Sequence, residues 1–245
     1  MVMTPFPNSK ASMIFLLHLE TAADNVSVAL SANGRVVDSI DQEGKHLHAQ
    51  TITLLITGIL ERNDLVFQEL AAVSVSAGPG SYTGLRIGVA TAKGLCYALD
   101  KPLIAVSTLL AMYSSFKDLD DKVDTPVGLV YIPMLDARRM EVYTAAYSEQ
   151  GKLLRPVEAV ILTPQSFEAE LAAAPVVFFG SGSAKAKNLY EDRPNARFEP
   201  SFRTSARGSV GNSWERYQKG AFENVSLFEP FYLKEFMFAT PRTAP

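Results

Sequence analysis

The sequence predicts an α/β protein of two lobes, and three observations carry that reading. Short period-two segments open the chain and precede an amphipathic helix. A buried apolar strand then runs through a glycine-rich turn into a long helix, and a second set of strands and helices follows. The lobes are placed at residues 13–107 and 108–236, with 1–12 and 237–245 as terminal extensions.

Ile14 to Leu19 reads as a buried strand and Asn25 to Ser31 alternates with period two, so the two form a hairpin turned at Ala22 to Asp24. A third antiparallel strand, Gly34 to Ile40, follows the Ala32-Asn33-Gly34 turn. A helix is expected from His46 to Arg62, because apolar residues recur at Ile52, Leu55, Ile56, Ile59 and Leu60. At about 100° per residue, Leu47, Thr51, Leu54 and Gly58 make a second stripe on that helix. Either a second lobe or loop of the same chain covers this stripe, or another subunit does.

Leu70 to Ala77 is a buried strand, Leu85 to Leu99 a helix closed by Lys101-Pro102, and Leu103 to Val106 a further strand. Ser107-Thr108 is placed to cap a helix over Leu109 to Phe116. The Asp- and Lys-rich stretch Phe116 to Pro126 has little to bury and is the expected crossing between lobes. Beyond it, Val127 to Pro133, Met140 to Tyr147, Val157 to Leu162 and Val176 to Phe179 read as strands. Helices are expected from Thr163-Pro164 to Ala173 and over Ser209 to Lys219.

Composition bounds the function. Of 245 residues, 47% are hydrophobic, which excludes intrinsic disorder, and the net charge of −3 gives no general attraction to a phosphate backbone. The single cysteine, Cys96, lies in an apolar stretch and reads as a buried small hydrophobe in a reducing compartment. No stretch approaches the roughly 18 apolar residues of a membrane span, so a cytoplasmic protein is expected.

The strongest local signal is Gly78-Pro-Gly-Ser-Tyr-Thr-Gly-Leu-Arg86 with the helix behind it. Gly78, Gly80 and Gly84 permit close backbone approach, Ser81 and Thr83 are N-cap types, and Arg86 follows one turn later. Two readings fit: contact with a phosphate at the helix start, or a tight turn. The Gly-Lys-Ser/Thr ending of a Walker loop is missing, as is GxGxxG. Small residues recur in the helix at Gly84, Gly88 and Ala92, and again at Ala90, Gly94 and Ala98. Each glycine there costs about 1 kcal/mol against alanine, so close packing against a neighbour is expected.

The block from Gly78 to Leu95 resembles the signature of the TsaB (YeaZ-like) family, the paralogue of the TsaD subunit in tRNA threonylcarbamoyladenosine synthesis. Further family-like segments fall in order: Leu17 to Ala22 with Val26 to Leu30, Met134 to Tyr143, Phe179 to Gly182, Ser209 to Gly211 and Pro230 to Phe236. The resemblance implies an actin-like (ASKHA, ribonuclease-H-like) fold with two related lobes. It also implies a noncatalytic scaffold that binds and activates a TsaD-like catalytic subunit together with a TsaE-like ATPase, reaching tRNA only through the complex and forming a homodimer when alone. The implied partner interface comprises Leu47, Thr51, Leu54, Gly58, Gly88, Thr91 and Leu95. Two departures stand out: Glu20 where members often carry aspartate, and Lys234 where arginine is common.

Catalytic candidates are few. His18 reads as a satisfied core or edge histidine, and His46 and His48 lack the three- or four-residue spacing of a helical metal pair. Asp136, Arg138, Arg139 and Glu141 read as a charged turn. Arg86 and Lys93, with Arg138 and Arg139, are candidates for a local basic surface. No catalytic residue, metal or cofactor is assigned. The alternative function is an actin-fold ATPase or phosphotransferase using Glu20, Ser81, Thr83 and the Gly180 to Gly182 turn; a peptidase finds neither triad nor zinc motif.

Overall fold

Apolar residues on both faces of a strand require cover on both sides, and the first lobe is built around that need. The computed structural model describes residues 13–44, 48–120 and 126–234. Its first sheet contains β1 (Phe15–Glu20), β2 (Asn25–Ala32), β3 (Arg35–Glu43), β4 (Leu70–Ser76) and β5 (Leu103–Val106), in the order β3-β2-β1-β4-β5. The first three are antiparallel neighbours, and β4 and β5 add in parallel through helical crossovers. On one face, Leu17, Leu19, Val28, Leu30, Val73 and Val75 meet α1 (His48–Arg62) and α2 (Tyr82–Leu99). On the other, Leu16, Ala72 and Ile104 meet α3 (Thr108–Asp120) through Ala111 and α6 (Val210–Gln218) through Trp214 and Tyr217.

The second sheet repeats the plan. Its strands are β6 (Val130–Asp136), β7 (Glu141–Tyr147), β8 (Leu153–Ile161), β9 (Val176–Phe179) and β10 (Ala196–Glu199), in the order β10-β9-β6-β7-β8. Three antiparallel strands again carry two parallel ones at one edge, so the lobes share one topology. Helices α4 (Glu168–Ala173) and α5 (Ser183–Tyr190) cover one face through Leu171, Ala186 and Tyr190. The other face packs on Leu109, Met112, Tyr113 and Phe116 of α3, which lies between the sheets.

Most expected elements form, with shifts that have local causes. Ser81 caps α2 by accepting the Gly84 amide at 3.3 Å, so that helix starts at Tyr82 rather than Leu85. Helix α3 runs on to Asp120, and Phe116 is buried among aromatic rings rather than opening an exposed crossing; residues 121–125 lie outside the described residues. The expected Ser107-Thr108 cap is not made, because both hydroxyls are buried without a hydrogen-bond partner. Strand β8 begins at Leu153 because its first residues pair with Tyr147. Turns occupy Pro164 to Phe167, so α4 starts at Glu168. Helix α5 and strand β10 were not anticipated.

Candidate functional site

The site is built from the carboxyl ends of β1 and β4. Period two puts Leu16, His18 and Glu20 on the α3–α6 face of β1, and both polar side chains are buried. Ser209 donates its hydroxyl proton to the Ala206 carbonyl at 2.8 Å, so it must accept from His18 Nδ1 at 3.1 Å; His18 Nε2 then accepts from Ser31 at 2.8 Å. Burial lowers the pKa of this neutral imidazole to about 3, which suits a structural group and not a base at neutral pH. Glu20 accepts from the Ala22 amide at 2.5 Å and from the Ser76 hydroxyl. Burial pushes its carboxyl up to about 7 against the opposing pull of the Ser76, Ala22 and Thr21 hydrogen bonds.

Glu20 thereby fixes the β1–β2 connection, and that connection fills the glycine loop. A Cβ on Gly80 would collide with Ala22, one on Gly84 with the Thr21 carbonyl and one on Gly88 with Thr21 Oγ1. Gly78, at φ +110°, would meet the Phe231 carbonyl oxygen at 2.5 Å. Two backbone groups of the loop are also held by that connection: Ser81 N–H donates to Ala22 O at 2.7 Å, and Gly84 O accepts from Thr21 Oγ1 at 2.7 Å. The glycines serve close packing of the chain on itself. Thr83 and Arg86 remain exposed, the latter over the Tyr82 ring, 4.6 Å from its centroid.

The residues expected to face a partner divide. Gly88 is buried under Thr21 and Thr51 is buried in its own lobe, so neither is available. Thr91 and Leu95 are half-buried, Leu95 packing on the first core. Leu47 and His46 lie outside the described residues. Leu54 is 72% exposed, and Gly58 has open space around it. On α2 the outward stripe is the second one, Ala90, Gly94 and Ala98, joined by Tyr97 at 86% exposure. Tyr97 was missed because an aromatic beside a core cysteine reads as core.

The closing segment crosses this region. Lys93 Nζ donates to the carbonyls of Ser226 at 3.1 Å and Phe228 at 3.0 Å, Phe231 N–H donates to Ala77 O at 2.7 Å, and Tyr232 packs on Tyr82. Lys234 then pairs with Glu141 of the second lobe. Lys185 holds Asp136 at 3.0 Å, and Asp136 also accepts the Arg138 amide at 2.6 Å. Arg138 and Arg139 take positive φ, as a turn requires. Gly180 and Gly182 pack closely against Met134 and Val142, where a side chain at either position would collide.

Two sheets of one topology around a shared helix define an actin-like α/β protein with two related lobes. The family model described as "TsaD: tRNA N6-adenosine threonylcarbamoyltransferase" matches residues 39–200. A tRNA threonylcarbamoyladenosine biosynthesis protein TsaB from Bacillus subtilis is 32% identical over 180 residues, 72% of this chain and 75% of that one. Its counterpart from Haemophilus influenzae is 33% identical over 128 residues, 52% of this chain and about half, 51%, of that protein's length. The solved structure of YeaZ from Pseudomonas aeruginosa superposes with a TM-score of 0.75 at 26% identity, covering 90% of this chain and all of that one. The chain belongs to the TsaB family, whose named members act in tRNA threonylcarbamoyladenosine biosynthesis. No helix among the described residues is long and apolar enough to cross a membrane, and no group of three metal-ligating side chains occurs among them.

Proposed function

We propose that this chain is a noncatalytic scaffold of the cytoplasmic complex that forms N6-threonylcarbamoyladenosine beside the tRNA anticodon. In this reading its α1–α2 face binds and activates a TsaD-type transferase, a TsaE-type ATPase joins them, and tRNA is reached through the complex. The observation that carries the reading is the self-packed glycine loop: Thr21, Ala22 and Phe231 lie where side chains at Gly78, Gly80, Gly84 and Gly88 would begin, while Leu54, Gly94 and Tyr97 stand outside uncovered. The match of a transferase family model to residues 39–200 supports the choice of partner. A subunit sharing this plan offers a like helix pair, and two such pairs can pack about an approximate twofold axis. In its absence a second copy of this chain offers the same surface.

Reconstitution tests this. Purified transferase, ATPase, unmodified tRNA, threonylcarbamoyl adenylate as donor and magnesium ATP are assayed by mass spectrometry of the nucleoside, with and without this chain; transfer to the adenosine N6 releases AMP. Modification is expected only with the full set. Modification by this chain alone would refute the scaffold reading, and magnesium-dependent ATP turnover by the isolated chain would favour the ATPase or phosphotransferase reading instead.

A further inference from the structure

The turn between β6 and β7 is built against the backbone preference of its own residues. Arg138 and Arg139 take φ of +70° and +45° in succession, in the left-handed region that glycine and asparagine enter readily and arginine seldom does. The turn is closed without either guanidinium: Asp136 Oδ1 accepts the Arg138 amide at 2.6 Å, and Glu141 N–H donates to Arg138 O at 3.1 Å. Both arginines are exposed, and neither side chain has a hydrogen bond or ion pair among the described residues. Folding gives no reason for arginine at either position.

The surroundings leave both charges uncompensated. Each carboxylate at the turn is met by a lysine, Asp136 by Lys185 at 3.0 Å and Glu141 by Lys234. Four cations therefore stand against two anions, on a chain whose net charge is −3. The basic ground continues from Lys234 into the first lobe. Tyr232, two residues before it, packs on Tyr82 with ring centroids 4.8 Å apart, and the exposed Arg86 lies over the Tyr82 ring. We infer that this strip, from Arg138 and Arg139 through Lys234 to Arg86, is a direct contact surface for an RNA backbone. Guanidinium forks match phosphate oxygens, and tyrosines interleaved with cations suit a nucleic-acid strand better than an acidic protein surface. The inference goes beyond the scaffold reading, in which tRNA is reached through the complex, and it does not need that reading because this chain alone carries the strip.

The test is a fluorescence-anisotropy titration of the full chain, without transferase or ATPase, against labelled unmodified tRNA at several salt concentrations. Arg138→Gly combined with Arg139→Gly removes both guanidinium groups and keeps the turn, since glycine takes positive φ freely, so the melting midpoint should not fall. This variant is expected to bind about tenfold more weakly and to flatten the slope of log K against log salt by roughly 1.5, the loss of two phosphate contacts. Arg193→Ala combined with Arg216→Ala removes the same charge from the far end of α5 and from α6, and should change neither quantity. The inference is overturned if wild type shows no salt-dependent binding, or if the glycine variant matches wild type in Kd and slope. Equal affinity for poly-glutamate of matched charge would assign the strip to acidic partners and overturn the RNA assignment. Retained RNA binding alongside a failed reconstitution would sink the scaffold reading alone.

Discussion

Thr21 and Gly88 share one volume: the threonine hydroxyl stands where a side chain at position 88 would begin, and it donates to the Gly84 carbonyl at 2.7 Å. This contact joins the end of β1 to the first two turns of α2. Gly84→Ala would drive a methyl into the Thr21 carbonyl, and Gly88→Ala would displace the hydroxyl. Each is expected to cost about 1–3 kcal/mol in urea denaturation, the range for overpacking. Gly94 has open space, so Gly94→Ala should stabilise the free chain by up to about 1 kcal/mol through helix propensity. The same variant should weaken docking if a partner helix comes close there. Equal losses at all three positions would contradict the geometry.

Spacing made both small-residue stripes of α2 visible, Gly84-Gly88-Ala92 and Ala90-Gly94-Ala98, but not which one faced inward. Small residues suit tight packing on a sheet and an open docking face equally, so composition carries no sign. The same ambiguity put Thr51 with Leu54. The paired sheets were legible because strands fully buried on both faces read as apolar runs. Strand β10, only four residues long, and α5, eight residues long, were not, since such short segments show no clear period. The path of the closing segment was invisible for another reason: Glu223 bridging Leu103 and Lys93 holding Phe228 link residues more than a hundred apart.

Two buried titratable groups on one face of β1 should act on stability in opposite directions. Glu20, raised to about 7, favours the folded state most below about pH 4.5, and that contribution is lost as pH rises to 7. His18, lowered to about 3, contributes stability present above about pH 6.5 and lost as pH falls towards 3. Between about 4.5 and 6.5 the two slopes offset each other. Glu20→Gln removes the first term, so its stability should rise with pH across that window by about 2–3 kcal/mol relative to the wild-type profile. Denaturant midpoints measured from pH 4.5 to 7.5 check this. A variant profile parallel to wild type would mean that Glu20 is not buried as described.

Asn25 and Thr204 form the polar contact that ties the start of β2 to the segment after β10. Asn25 Nδ2 donates to the Thr204 carbonyl at 2.7 Å, and Thr204 Oγ1 donates to Asn25 Oδ1 at 2.8 Å, with both residues buried. Removing one partner leaves the other's groups desolvated and unsatisfied, so Asn25→Ala should cost about 2–4 kcal/mol. Thr204→Val keeps the carbonyl bond and loses only the hydroxyl donor, which should cost about 1–2 kcal/mol. Asn25→Asp separates hydrogen bonding from shape: a carboxylate can still accept from the hydroxyl, yet it sets a second oxygen against the Thr204 carbonyl. That variant should be at least as unstable as Asn25→Ala at pH 7 and should recover part of the loss at acid pH, where the protonated carboxyl can donate to the carbonyl. Full stability of Asn25→Asp at neutral pH would rule out the contact.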